Sequence, residues 1–152
     1  MPIDFRGVAP LLQVFDMPTA VRFYRDILGF EVVNTSRPGE HFDWALLKFR
    51  GVEIMLNTAY EADDRPLAPD PARVSAHSDT CLYFGCEDLD GAYRHLSAHG
   101  LHVHSPKVAP YGMKQLYVND PDGYGLCFQW PATQQMYDAW VRDYGLEPRS
   151  IG

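Results

Sequence analysis

The sequence contains few cysteines and few basic residues, and it has no long apolar run. Three cysteines among 152 residues, an odd number, do not make the disulfide framework of a small secreted protein. The 13 lysines and arginines are outnumbered by 20 aspartates and glutamates, so no basic stripe is available to neutralise phosphates, and we expect no nucleic-acid partner. No apolar stretch approaches the roughly 20 residues that span a bilayer, so we expect no membrane partner either.

The N-terminal residues 1–6 lack the charged-then-apolar pattern of an export signal, and we therefore expect a cytoplasmic protein. The net charge of −7 is typical of a protein kept in solution by repulsion, and it mildly favours a cationic ligand through long-range attraction. Hydrophobic residues make up 46% of the chain, which is enough to build one core in a single domain over residues 1–152.

One pattern occurs twice in the chain. The segments Asp16–Tyr24 and Asp88–Leu96, 72 residues apart, carry Asp, Ala and Arg at the same offsets. Each follows a strand-like run and precedes a glycine, Gly29 or Gly100, that is expected to end a helix. The aspartate that opens each segment can cap the helix by accepting a hydrogen bond from a free backbone N–H. The repeat indicates two copies of one supersecondary unit, each too small to bury a core alone.

Alternation of apolar and polar residues predicts the same order in both halves, namely a strand, a helix and three strands. Module one covers about residues 8–57, with strands predicted over 8–15, 30–35, 42–49 and 52–57. Module two covers about residues 79–130, with strands predicted over 80–86, 101–107, 113–119 and 124–130. The periodicity fails over residues 58–78, a linker rich in proline and aspartate that is either a candidate lid or a plain surface crossover.

A C-terminal helix is predicted over about residues 133–144. Its apolar stripe should pack against the domain or against another subunit, because such a face is rarely left in water. The stripe consists of Met136, Tyr137, Trp140, Val141 and Tyr144.

The sequence resembles the vicinal oxygen chelate superfamily in three places, namely residues 14–16, residues 23–30 and the Asn119–Gly123 turn. That group includes glyoxalase I, extradiol dioxygenases, and fosfomycin and bleomycin resistance proteins. The resemblance runs from about Val8 to Gln129. It implies an α+β fold in which two βαβββ modules pair curved mixed sheets around a cavity, often completed by a homodimer, with the C-terminal helix added here. One scaffold of this kind carries many chemistries, so the resemblance indicates the fold better than the function.

In metal-dependent members, the resemblance places the ligand positions at Ala9, Cys81, Cys127 and either Glu53 or Met55. Three of these four positions lack the family's ligand, and Ala9 has no donor atom. We therefore expect no cofactor. A divalent metal held by Glu53, Cys81 and Cys127 is the alternative, because thiolates bind zinc and other soft metals. Buried cysteine more often serves as a small hydrophobic residue.

Residues 7–16, including Pro10, resemble the opening strand of bleomycin resistance proteins. The resemblance implies strand exchange in a homodimer, and binding of a drug without any chemistry on it. We therefore expect a non-catalytic protein, similar to antibiotic resistance proteins, that binds a small cationic or aromatic molecule. One alternative is a glyoxalase-like, metal-dependent lyase or isomerase with altered ligands, and another is a metal-free enzyme that uses Glu53 as a base.

Strand alternation assigns side chains either to the helix side of each sheet or to the cavity side. The cavity-side set is apolar and aromatic with a few amides and one carboxylate, which suits an organic ligand of moderate size. In the alternative interpretation, these side chains fill a closed core. The predicted ligand-binding residues are Gln13, Trp44, Glu53, Met55, Asn57, Cys81, Tyr83, Met113, Gln115, Tyr117, Cys127 and Gln129. Tyr60, Arg65 and Tyr111 are candidate gates, and His102 and His104 share one face of a predicted strand.

Overall fold

The computed structural model describes residues 3–144, which form two compact units that divide between Ser75 and Ala76. Each unit contains a four-stranded mixed sheet and a helix that follows its first strand, so the predicted α+β fold of two βαβββ modules with a C-terminal helix is confirmed. None of the helices in this part of the chain is long and apolar enough to cross a membrane.

The first unit has the predicted order of elements. They are β1 (Leu11–Val14), α1 (Met17–Val21), β2 (Glu31–Thr35), β3 (Trp44–Phe49) and β4 (Val52–Thr58). The strands are ordered β1-β4-β3-β2, with β1 parallel to β4 and the other neighbours antiparallel. Strand β1 is shorter than the predicted 8–15, although the Pro10 carbonyl extends the ladder by accepting a hydrogen bond from Met55 N at 2.8 Å.

The first helix begins at Asp16, as predicted. The Asp16 carboxylate accepts hydrogen bonds from the backbone N–H of Thr19, at 3.0 Å, and from the Thr19 hydroxyl. Helix α1 continues as a π-helical segment over Arg22–Ile27, and Gly29 follows with a φ of 90° that favours glycine. Val21 and Tyr24, on the predicted apolar face, are buried.

The alternation predicted for β4 is confirmed by burial. Ile54 and Leu56 are fully buried, whereas Glu53, Met55 and Asn57 are half-buried. Val52, which strand alternation places on the same face as Ile54 and Leu56, is exposed, because it opens the strand directly after the tight turn at residues 50–51.

The linker predicted over residues 58–78 contains helical segments that the sequence pattern did not reveal. They are α2 (Pro71–Ala76) and two 3₁₀ turns, Ala62–Asp64 and His77–Asp79. The linker thus has a short helix over Pro71–Ala76 that its sequence pattern did not predict. Six residues are too few for a helical period to show, although Asp70 followed by Pro71 is a helix-start signal. The Asp70 carboxylate accepts a hydrogen bond from Ala72 N at 3.0 Å.

The second unit repeats the order and adds the terminal helix. Its elements are β5 (Cys81–Gly85), α3 (Leu89–Ala98), β6 (Lys107–Val108), β7 (Met113–Asn119), β8 (Gly125–Pro131) and α4 (Gln134–Tyr144). The strands are ordered β5-β8-β7-β6, and β5 is parallel to β8. Asp88 caps α3 by accepting a hydrogen bond from Gly91 N at 2.8 Å.

The strand predicted over residues 101–107 is wrong over most of its length, because only Lys107 and Val108 pair with β7. Pro106 signalled this outcome, since proline cannot donate to a sheet ladder. His102 and His104 therefore do not share a strand face, although their rings lie 5.5 Å apart.

Helix α4 packs on the second unit with the predicted stripe. Tyr137 and Val141 are buried, and the Trp140 ring lies 4.8 Å from the Trp130 ring at an angle of 73°. The stripe thus packs within the unit that carries it. The side chain of Tyr144, the last predicted member, lies outside the described residues.

Candidate functional site

One face of the second unit's sheet brings together seven of the predicted ligand-binding residues. In the strand ladder, Cys127 lies opposite Tyr83 on one side and Tyr117 on the other, and Gln115 lies opposite Gln129. We call this surface the tyrosine face. It consists of Cys81, Tyr83, Met113, Gln115, Tyr117, Cys127 and Gln129.

A hydrogen-bonded chain of phenols and amides crosses the tyrosine face. The Tyr117 hydroxyl donates to Gln115 Oε1 at 3.1 Å, and Gln115 Nε2 donates to Gln129 Oε1 at 3.0 Å and to the Tyr111 hydroxyl at 2.6 Å. The Tyr83 hydroxyl lies 3.5 Å from that of Tyr117. Three strands and the loop before β7 are therefore linked through side chains, and the buried Gln115 amide has a fixed orientation.

The aromatic members of this chain are open to solvent. Tyr83, Tyr111 and Tyr117 are 54%, 57% and 50% exposed, while Met113 and Gln115 below them are buried. The rings of Tyr83 and Tyr117 are 6.5 Å apart and nearly perpendicular, at 86°. Clustered exposed aromatic side chains on a rigid sheet mark interaction surfaces.

A cleft of about 230 Å³ opens beside Gln115 and Tyr117. Its opposite wall comes from residues 104–109, which include the short strand β6 and the unpaired residues just before it, where a strand was predicted. For that reason His104, Ser105 and Lys107 were not predicted as site residues. They add an imidazole, a hydroxyl and one positive charge to the edge of the tyrosine face.

Two thiols and one phenol of the tyrosine face, those of Cys81, Cys127 and Tyr117, have raised pKa values, which favour their neutral forms. Burial raises the pKa of the Cys81 thiol, and burial together with neighbouring Cys81 raises the pKa of Cys127. The hydrogen bond with Tyr83, burial and the Cys127 thiol together place the pKa of Tyr117 well above its ordinary value. A neutral thiol is a poor nucleophile and a poor metal ligand. The raised pKa values thus disfavour an activated thiolate on the tyrosine face.

The other five predicted ligand-binding residues share one face of the first unit's sheet. Register places Asn57 between Gln13 and Trp44, with Met55 and Glu53 further along the same strand. All five are half-buried, and Asn57 Nδ2 donates to Gln13 Oε1 at 3.2 Å. This face again combines amides with an aromatic side chain and a thioether.

Glu53, the predicted catalytic base, is already engaged by a cation. Its Oε1 atom lies 2.8 Å from Lys48 Nζ, and the Glu53 side chain is 38% exposed. To act as a base, this carboxylate would have to be released from Lys48 and brought within hydrogen-bond reach of a substrate proton. The catalytic role of Glu53 stays a prediction.

The residues at the family's metal positions do not fit a divalent ion. Ala9 has no donor atom, and the Glu53 carboxylate is paired with Lys48. Over residues 3–144, no three His, Cys, Asp or Glu side chains form a group able to hold a metal.

The candidate gates occupy two different places. Tyr111 belongs to the second unit and accepts the hydrogen bond from Gln115. Tyr60 and Arg65 belong to the first unit, where the Arg65 guanidinium lies 5.1 Å from the centroid of the Phe15 ring and the Tyr60 ring meets the same Phe15 edge-on at 6.3 Å.

The two four-stranded mixed sheets, each with the same order of elements, define a class of α+β proteins built from two βαβββ modules. Comparison with known proteins identifies the family within that class. The chain belongs to the Glyoxalase/Bleomycin resistance protein/Dioxygenase superfamily, whose model matches residues 8–128. The predicted resemblance is therefore confirmed. The chain is 33% identical to the uncharacterized protein YaeR of Escherichia coli (strain K12) over 115 residues, which cover 73% of this chain and 84% of YaeR.

Solved structures share the fold at lower identity. UcmS2 superposes with a TM-score of 0.64 at 20% identity, covering 84% of this chain and 98% of UcmS2. TnmS3, an antibiotic-binding protein from Streptomyces sp. CB03234, superposes with a TM-score of 0.61 at 23% identity, covering 85% of this chain and 98% of TnmS3. At these identities the likeness shows the fold alone.

Proposed function

We propose that the protein binds a small aromatic molecule at the tyrosine face, without a metal and without converting its ligand. The observation that carries this proposal is the row of exposed tyrosines, Tyr83, Tyr111 and Tyr117, joined through buried Gln115 by hydrogen bonds. Such a row offers flat rings to a ligand while its supporting amides are already oriented.

The face provides two kinds of contact. A planar ligand stacks on or meets the edges of the Tyr83 and Tyr117 rings, and each aromatic pair contributes about 0.5–1.5 kcal/mol beyond the area that it buries. Polar substituents of the ligand exchange hydrogen bonds with the phenol hydroxyls, and Lys107 in the adjoining cleft attracts negatively polarised groups. Binding costs little conformational entropy, because the hydrogen-bonded chain is formed in advance.

Binding without catalysis is supported by the candidate reactive groups of the two units. The two thiols of the tyrosine face have raised pKa values, and the carboxylate of Glu53 is paired with Lys48. An activated cysteine nucleophile needs the opposite, a lowered thiol pKa. TnmS3, which shares the fold, is described as antibiotic-binding, and a sequestering role in resistance is the corresponding proposal for this chain.

The test is a binding screen with purified protein. Thermal-shift and calorimetric titrations would compare a set of aromatic antibiotics with non-aromatic aminoglycosides of similar mass, since a ligand of the folded state raises its melting temperature. We expect the aromatic set to bind, and the Y83A/Y117A variant to bind at least about tenfold more weakly, the equivalent of about 1.4 kcal/mol. Replacement of Phe5, an exposed ring outside the face, is the matched control.

Two outcomes would overturn this proposal. One is aromatic binding that survives unchanged in Y83A/Y117A. The other is a stoichiometric divalent metal in the purified protein that is lost in a C81S/C127S variant, which would instead support the metal-dependent lyase or isomerase. The homodimer expected from the resemblance around Pro10 stays a prediction, which sedimentation equilibrium can measure.

A further inference from the structure

A second cleft, of about 550 Å³, is lined by residues of the first unit alone. It opens where β1 and β4 end and α1 begins, and its walls include the loop over residues 37–43 and linker residues 60–65. Its volume falls within the range of small-molecule sites. Neither the predicted cavity-side residues nor the proposed aromatic site includes it.

The lining of this cleft has an excess of negative charge. Its two arginines are each paired with one carboxylate, because Arg65 Nη1 lies 2.7 Å from Asp16 Oδ1 and Arg37 Nη2 lies 2.7 Å from Asp43 Oδ2. Three further carboxylates line the same cleft. They are Glu40, Glu61 and Asp63. A cleft charged in this way concentrates cations.

One corner of the cleft already holds a guanidinium group that the linker supplies. Arg65 sits between the Asp16 carboxylate and the Phe15 ring, with 5.1 Å from its Cζ to the ring centroid. The adjacent Tyr60 ring carries a second guanidinium, that of Arg73, at 5.7 Å. An anion beside an aromatic face is the combination that recognises organic cations. The linker therefore places two of the chain's own cations, Arg65 and Arg73, over aromatic rings.

We propose that this cleft is a binding site for an organic cation of the amidinium or guanidinium type, and that Arg65 is the internal competitor which the ligand displaces from Asp16 and Phe15. Displacement costs little, since the side chains of Arg65 and Asp16 are 42% and 29% exposed and exposed ion pairs are weak. The planar fork of such a ligand matches a carboxylate in the same bidentate geometry that Arg uses. Its binding frees linker residues 60–65 from the start of α1.

The experiment uses benzamidinium chloride as the probe and neutral benzamide as its isostere, in NMR titrations of the full chain. We expect benzamidinium to shift the Thr19 amide, whose N–H is bound by Asp16, and benzamide to leave it unchanged. R65A should bind benzamidinium up to about fivefold more tightly, because the competing exposed ion pair is gone. D16N should bind at least about fivefold more weakly while keeping the helix cap, since asparagine caps as well as aspartate.

R94A, which removes an exposed arginine from the second unit, is the matched control for net charge and should bind like the wild type. Equal binding of benzamide, unchanged affinity in R65A, or full affinity in D16N would each contradict the proposal. The aromatic-antibiotic titrations repeated in R65A separate the two sites: unchanged aromatic binding leaves the tyrosine face intact whatever benzamidinium does.

Discussion

The Tyr83 and Tyr117 hydroxyls lie 3.5 Å apart across β8, and Cys127, which is opposite both residues in the ladder, is fully buried. The central strand thus presents a small thiol where its neighbours present large phenols. This size pattern lets the two rings meet over the middle strand, so that one covered thiol and two exposed rings form a single packed group.

The first prediction concerns the cover over Cys127. Because burial raises the pKa of the Cys127 thiol and the tyrosines shield it, iodoacetamide should label this cysteine slowly in the native protein at pH 8. Y117A should speed labelling of Cys127 several-fold, as read by peptide mass spectrometry. Y111A removes a tyrosine that is not opposite Cys127 and is the control. Equal labelling rates in Y117A and Y111A would show that Tyr117 does not cover the thiol.

The second prediction follows from the phenol of Tyr117. Its pKa is raised in the fold, so the fold favours the neutral phenol. The corresponding stability is fully present below the unfolded pKa of about 10 and is lost as pH rises further. Between about pH 9 and pH 11, the wild type should therefore lose more unfolding free energy than Y117F. Urea unfolding at several pH values measures this difference, and parallel curves for the two proteins would contradict it.

The third prediction concerns Asp16 at the opposite end of the pH scale. Burial alone would raise the pKa of this carboxyl, but its hydrogen bonds with Thr19 and Arg65 outweigh burial and lower it. The stability gained is present above the unfolded pKa of about 4 and is lost as pH falls below it. The unfolding free energy of D16N should therefore be lower than that of the wild type at pH 7, and the two values should converge near pH 2.

D16A, unlike D16N, also removes the cap, and it should cost about 1 kcal/mol at pH 7 in urea unfolding. D4N changes an exposed aspartate near the N-terminus and should leave the pH profile unaltered. A wild-type acid profile in D16N would mean that the contacts of Asp16 do not favour its ionised form.

Much of this fold could be predicted from local signals. Asp16 and Asp88 cap their helices as the repeat indicated, and the alternation in β4 and β7 separates the buried Leu56 and Leu116 from the residues on the other face. The same alternation brought seven predicted site residues together on the tyrosine face, because a period of two assigns faces reliably once strands are recognised.

The features that could not be predicted from the sequence depend on non-local contacts. Residues 101–106 have a strand-like composition, yet they do not pair, and His104 and Ser105 line the cleft beside Gln115 instead of forming part of the ladder. Arg65 lies 49 residues from Asp16, so no local pattern connects the linker to the start of α1. The acidic cleft of the first unit could not be predicted for this reason.

The last prediction concerns Gly85, which makes room for helix α4. A Cβ atom at this position would lie 3.2 Å from Cη2 and 3.4 Å from Cζ2 of Trp140, so the indole packs where any side chain would stand. G85V should therefore destabilise the protein by about 1–3 kcal/mol, the usual cost of overpacking. G51V, at a turn glycine with no atom near the added Cβ, is the matched control and should cost less.

A double-mutant cycle can show whether the destabilisation of G85V comes from the clash with Trp140 or simply from the loss of a glycine in the strand. If the clash with Trp140 is responsible, W140L should relieve part of the cost, and G85V/W140L should be less destabilised than the sum of its single variants by at least about 0.5 kcal/mol. Tryptophan fluorescence during urea unfolding follows the same event, because the Trp130 ring, 4.8 Å from the Trp140 ring, reports whether α4 stays packed. Additive effects would place the strain of G85V elsewhere in β5.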